Sequence, residues 1–147
     1  MKSLKLIIEG QPISKQSVKQ GRSWKGKKVF YQPAKYKLIE LKYKYQIKAQ
    51  LPPGFQMFTK KVYIEKLQFV FQPLAKHFKI KKNLALFAQG GTIEKTTRPD
   101  LSDNLKKLLL DSMQGLVFKD DCLICKEDNI SKVYGQKGCI IIHLKGI

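Results

Sequence analysis

The chain has six aspartates, and all of them lie between residues 100 and 128: Asp100, Asp103, Asp111, Asp120, Asp121 and Asp128. Across all 147 residues, 29 lysines and arginines stand against 11 acidic residues, a formal charge of +18. A chain that avoids aspartate elsewhere and gathers it in one stretch has a place for a cation, and a metal ion is the first candidate. Asp103, Lys107 and Asp111 are four residues apart, so on a helix they share one face. Asp100 lies one turn upstream, close to the same line. Carboxylate oxygens with open positions suit Mg²⁺ or Mn²⁺, which take one or two protein carboxylates and fill the remainder with water and phosphate. Such an ion polarises a phosphoryl oxygen and lowers the pKa of bound water. Lys107 beside it could neutralise charge on a scissile phosphate. Asp120 and Asp121 follow after a short connection, and in extended chain only one of the pair faces the site.

The elements that must position these groups are legible around them. Pro99 punctuates the chain and favours extended backbone at Arg98. From about residue 102, Leu105, Leu108, Leu109 and Met113 recur at helical spacing, with Ser102 or Asp103 as N-cap and Gly115 as the stop. The leucine stripe faces the core and the Asp-Lys-Asp stripe faces outward. An ordinary surface reading also exists. Aspartates near a helix start favour the macrodipole, and a Lys-Asp pair four apart is a common surface pair. Asp111 is assigned that role, pairing with Lys107 and orienting it.

The stretch RPDLSDNLKKLLLDSMQGLVFKDDCLI resembles the RusA-type Holliday junction resolvases, small dimeric Mg²⁺-dependent endonucleases. That family shows a Pro-Asp-x-Asp-Asn-Leu-x-Lys helix start, a helix carrying an Asp, and a hydrophobic-Asp-Asp segment leading into a strand. The tail ISKVYGQKGCIIIHL is similar to the family's closing strands, and IIEGQPISKQ more loosely to its opening strand and basic loop. The likeness runs from end to end, with about thirty residues specific. It implies a catalytic set of Asp100, Asp103 and Asp121 on the metal with Lys107 as the essential lysine, a homodimer, and a four-way DNA junction as substrate. It also implies a bacterial or phage-encoded protein of the cytoplasm, associated with the nucleoid. One departure stands out: Leu101 and Ser102 both separate Asp100 from Asp103, where the family pattern has a single residue. Either the turn absorbs the extra residue, or one carboxylate has moved off the metal. In the second case the chain is a non-catalytic junction binder. A basic structural protein of a ribonucleoprotein is a third reading.

Of the 29 basic residues, 27 are lysines. Such a field attracts polyanions and gives salt-sensitive, largely sequence-independent phosphate binding. Only Arg22 and Arg98 offer the fork that reads guanine edges, so a base-reading transcription factor is disfavoured. Residues 14–28 form a basic loop whose Lys15, Lys19, Arg22, Trp24 and Lys25, together with Arg98, are candidate DNA contacts. Trp24 either stacks on an unpaired base or anchors the loop to the core. Cys122, Cys125, Cys139 and His143 nominally make a zinc set. In strands, however, Cys139 and His143 stand about 13 Å apart, and Cys122 and Cys125 face opposite ways. The three cysteines are expected to be free thiols.

Length and a hydrophobic content of 43% fit one globular domain over residues 1–147. No apolar run can span a bilayer, and Met1-Lys2-Ser3-Leu4 lacks a signal peptide's cleavage region. The expectation is a soluble intracellular protein. Residues 4–9 read as a strand and Val29–Tyr31 as a short one. Residues 34–50 read as a helix burying Leu38, Leu41, Tyr45 and Ala49. Residues 59–72 read as a long strand with an irregularity near Lys66, 76–83 as a basic connector, and Leu84–Ala88 as a strand. Glu94 is either an outer carboxylate of the site or an exposed strand residue. Residues 122–134 and 138–145 read as strands of a hairpin turning at 135–138. Strands and helices in this order predict an α+β fold, one mixed β-sheet with two helices packed on it, with loops 14–28 and 76–83 flanking the acidic site.

Overall fold

The computed structural model describes residues 2–14, 26, 34–101 and 105–147, and the backbone of 19–22 and 28–31. The chain runs β1 (Ser3–Glu9), β2 (Lys19–Arg22), β3 (Lys28–Tyr31), α1 (Ala34–Gln50), β4 (Val62–Phe71), α2 (Ala75–Phe78), α3 (Lys81–Ala88), β5 (Ile93–Glu94), α4 (Lys106–Met113), β6 (Ile124–Glu127), β7 (Ile130–Tyr134) and β8 (Cys139–Gly146). Six strands make one mixed sheet in the order β1-β8-β4-β7-β5, with β6 also on β4. The strands β2 and β3 form a separate two-stranded ribbon. The expected α+β fold is what the chain adopts, with two short helices in addition to the two foreseen.

The long strand β4 organises the sheet. Antiparallel β8 lies along one edge, and parallel β6 and β7 share the other. Its apolar side chains Val62, Ile64, Leu67, Phe69 and Phe71 are all buried. The expected irregularity is a register shift between Ile64 and Lys66. Opposite it, β6 and β7 are parted at Asp128 and Asn129, where Asn129 takes a φ of 52° and its amide donates to the Glu65 carbonyl at 3.1 Å. Asn tolerates that left-handed backbone better than most residues.

The expected hairpin is not one: β7 and β8 flank β4 instead of pairing with each other. Four residues reach about 13 Å, enough to cross two strand spacings of about 4.8 Å each. The connection wraps the end of β4, where Gly135 N–H donates to the Phe71 carbonyl at 2.9 Å. A Cβ on Gly135 would stand 2.6 Å from a Val70 methyl.

The helix α1 forms where expected but buries a different face. Tyr36, Tyr43 and Ile47 enter the core, whereas Leu38, Leu41 and Tyr45 are 63%, 61% and 78% exposed. The sequence carries two apolar stripes, and the edge of β1 selects between them. Gln50 accepts from Ile7 N–H at 2.9 Å and donates to its carbonyl at 2.7 Å. Gln46 does the same for Glu9, at 2.7 and 3.2 Å. The two amides stand in for a missing strand and cover an edge otherwise open to pairing.

The segment 76–88, read as connector and strand, is helical. Leu84–Ala88 is the second half of α3, and α2 precedes it. Five apolar residues are too few to display a period, and the Leu-Ala-Leu-Phe-Ala composition favours helix. Only Phe87 of α3 is buried, against Phe78 of α2 at 6.2 Å between ring centroids.

Candidate active site

The acidic stretch is built on α4, which packs against α1. Leu105, Leu108, Leu109 and Met113 are buried as their spacing predicts, and Gly115, at φ 85°, ends the helix. The Lys106 ammonium meets the Glu127 carboxylate at 2.8 Å, pinning the start of α4 to the end of β6. At the far end, Phe58 and Phe118 form a bridge: Phe58 N–H donates to Val117 O at 2.8 Å and Lys119 N–H to Phe58 O at 3.0 Å. That bridge delivers Asp120 and Asp121 to the foot of β6, where Ile124 pairs with Val62.

Asp120 and Asp121 have opposite surroundings. The Asp120 carboxylate accepts from Cys122 N–H at 3.0 Å, capping the short 3₁₀ turn Asp121–Leu123. That bond holds its carboxyl below the ordinary range. The Asp121 carboxyl is pushed up, first by partial removal from water and then by the Asp120 and Asp111 carboxylates nearby. The expectation of extended chain at the pair is replaced by a 3₁₀ turn beginning at Asp121. Asp111, assigned by sequence to a surface pair with Lys107, is brought within electrostatic reach of Asp121. Its position eight residues after Asp103 was the available signal. Lys107 is exposed one turn earlier on the same helix.

Asp100 sits elsewhere. It lines an open cleft of about 650 Å³ with Pro12, Ile13, Ser14, Phe71, Arg98 and Pro99. Phe71 ends β4 and Val62 begins it. At about 3.3 Å per residue, those ends are about 30 Å apart. The described residues therefore place Asp100 and Asp121 towards opposite ends of β4. Asp103 falls outside the described residues, as do Lys15, Trp24 and Lys25. Lys19 and Arg22 lie on β2, where only the backbone is described.

Sequence reading missed the clamp that holds the strap before α4. From β7, Lys132 donates to Thr97 O at 2.7 Å and Pro99 O at 2.8 Å. Lys95 donates to Thr97 Oγ1 and to the Tyr134 hydroxyl, each at 2.9 Å, and those bonds hold the Tyr134 phenol below its usual pKa. Among so many lysines nothing in the sequence marks these two. Glu94, left open between a site role and a surface one, is exposed on β5.

Hard oxygen donors crowded so that their charges oppose one another suit a divalent cation. Among the described residues, Asp120 and Asp111 both oppose the Asp121 charge, and no group of three or more His, Cys, Asp and Glu side chains gathers to hold a metal ion. Cys122 and Cys125 are exposed, and Cys139 is half-buried. No helix among the described residues is long and apolar enough to cross a membrane.

Residues 9–145 match the family model described as Endodeoxyribonuclease RusA, a family of enzymes that hydrolyse DNA internally. The match omits only ten of the 147 residues, and the chain belongs to the RusA endodeoxyribonuclease family. None of the curated proteins matches the chain.

Proposed function

We propose that this protein is a divalent-metal-dependent endonuclease that resolves four-way DNA junctions as a homodimer in the bacterial cytoplasm, on host or phage DNA. The observation that carries the reading is the family match over residues 9–145 on so basic a chain, supported by the acidic residues opposing one another at Asp121 and by Lys107 one helical turn from Asp111. Asp103 and Asp121 are the proposed holders of Mg²⁺, for which Mn²⁺ substitutes, with Asp111 within electrostatic reach of Asp121. When bound, the ion supplies Lewis acidity and a water of lowered pKa. Lys107 sets positive charge against the phosphoryl oxygens. Asp120, tied to Cys122 N–H, keeps the 3₁₀ turn in place and so aims Asp121. Asp100, which the family resemblance puts among the metal carboxylates, lines the cleft beside Arg98. The basic residues Lys15, Lys19, Arg22 and Lys25, with Trp24, follow the backbone of the DNA arms.

The exposed stripe Leu38, Leu41 and Tyr45 on α1 supports the dimer. A two-fold pairing of this helix with its copy covers three large apolar side chains on each partner.

A non-catalytic junction binder is the second reading, favoured by the extra residue before Asp103. Junction cleavage in Mg²⁺ by wild type and Asp121→Asn decides between them. Cleavage lost in the variant with junction binding retained establishes catalysis. Binding without cuts by wild type, in Mn²⁺ as well, establishes the binder.

A further inference from the structure

We propose that Lys60 and Lys61 grip the DNA backbone phosphates adjoining the one that Asp121 receives, an inference that rests on the metal-site reading of Asp121 above. The pairing pattern places them. Phe58 and Phe118 form a parallel bridge, and the same two segments meet again where Val62 pairs with Ile124. Paired strands stand about 4.8 Å apart, so the backbone between these two contacts is confined at both ends. Residues 59–61 span the interval on one side and residues 119–123 on the other. The longer side takes up its extra residues in the 3₁₀ turn Asp121–Leu123, and Lys60 and Lys61 lie opposite that turn. An open groove of about 610 Å³ is lined by Lys60, Lys61, Leu123 and Ile147.

Neighbouring ammoniums at this end of the sheet are engaged. Lys2 stands over the Phe55 and Phe58 rings, 4.1 and 4.9 Å from their centroids. Lys119 acts on the Asp120 carboxylate. Lys126 pairs with Asp128 and Lys145 with Glu65, each at 3.8 Å. Among the described residues, no carboxylate forms an ion pair with Lys60 or Lys61, and both are exposed. The backbone that carries them is fixed. Lys61 O accepts from Ile147 N–H at 3.0 Å, and Phe58 O accepts from Lys119 N–H at 3.0 Å.

Charge identifies the occupant. The Asp111 and Asp120 carboxylates both act on Asp121, so a phosphodiester strand led past them is repelled at each phosphate that the metal does not bind. Two ammoniums without carboxylate partners, across from the turn, offset that repulsion for the adjoining phosphates. Lysine suits this use, being a compact charge on a flexible stem without the fork that reads guanine edges. The lysine stems, Leu123 and Ile147 give the groove apolar surface for the sugars. Contacts of this kind set the register of the strand and carry no sequence information.

The test joins salt dependence to a phosphate scan. Binding of a four-way junction is measured in Ca²⁺, so that no cuts intervene, for wild type, Lys60→Gln/Lys61→Gln and Lys81→Gln/Lys82→Gln. The last pair is also adjacent and exposed, but lies on α3. Raising salt from about 50 to 200 mM should weaken wild type about tenfold more than Lys60→Gln/Lys61→Gln, the scale of two phosphate contacts. The α3 variant should follow wild type. Each phosphate near the crossover is then replaced in turn by a neutral methylphosphonate, and the cut is mapped on the unmodified junction in Mg²⁺. At phosphates adjoining the cut, the replacement should weaken wild type and leave Lys60→Gln/Lys61→Gln unchanged. Equal losses of salt dependence in the two glutamine variants overturn the proposal, as does coupling that is absent or confined to phosphates remote from the cut. Either result leaves the nuclease reading standing. Absence of cuts by wild type, in Mn²⁺ as well, overturns the nuclease reading and the proposal with it.

Discussion

Neighbouring residues of the same type do different work in this protein, and their surroundings show which does what. Lys106 and Lys107 are adjacent, but Lys106 is committed to Glu127 at 2.8 Å while Lys107 is exposed. Lys107→Ala should lower junction cleavage about 10²–10³-fold with binding changed less than about tenfold, in single-turnover assays. Lys106→Ala should cost about 1 kcal/mol of stability and leave the chemical step nearly intact, by denaturant unfolding and the same assay. The two aspartates divide similarly. Asp120→Asn keeps an oxygen to cap Cys122 N–H but removes a charge from Asp121, whose carboxyl Asp120 helps hold above the ordinary range. A carboxyl-carbon NMR titration of the metal-free protein should find the Asp121 midpoint lowered in that variant, and an unchanged midpoint contradicts the assignment. The sign for stability follows. A carboxyl whose folded-state pKa is raised favours the fold below its unfolded pKa, and that contribution is lost as pH rises through the raised value. Asp120, held below the ordinary range, acts oppositely: its stabilisation is lost as pH falls through its lowered value, and Asp120→Asn removes that loss.

Positions along elements were legible where one pattern stood alone. The α4 stripe gave its buried face, Gly115 its end, and the alternation of β4 its core residues. The pattern failed where it was short or doubled. Leu84–Ala88 is too short to show a period. The helix α1 carries two stripes, and only the hydrogen-bonding demand of the β1 edge, met by Gln46 and Gln50, selects one. The four-residue turn at 135–138 looked like a hairpin because local sequence does not reveal a strand passing between its arms. The least legible device is the Lys132 clamp, which acts through carbonyl groups that sequence does not distinguish. Lys132→Met should lower stability by about 1–2 kcal/mol and weaken junction binding, since the strap bearing Arg98 loses both anchors. Unchanged affinity in a folded variant would show that the strap needs no clamp.

At the scale of the whole molecule, family membership was legible in about thirty residues around the acidic helix, whereas the placement of the candidate metal carboxylates was not. The extra residue between Asp100 and Asp103 breaks the register on which a residue-by-residue transfer depends, and Asp100 stands in a cleft with Arg98 towards the other end of β4 from Asp121. The proposed two-fold assembly makes a separate demand. Leu41→Lys places a charge in the middle of the α1 stripe and should convert dimer to monomer by sedimentation velocity at micromolar concentration, while the monomer remains folded by circular dichroism. A persistent dimer would move the interface off α1.

Paired cutting of a four-way junction is the central claim, and a supercoiled plasmid carrying an extruded cruciform tests it most directly. A dimer with one acidic site per subunit should nick opposite strands within one binding event and yield linear DNA in Mg²⁺, with Asp121→Asn giving none. The same plasmid without the cruciform should survive. Equal cutting of both plasmids, or nicked circles that never become linear, would contradict the account.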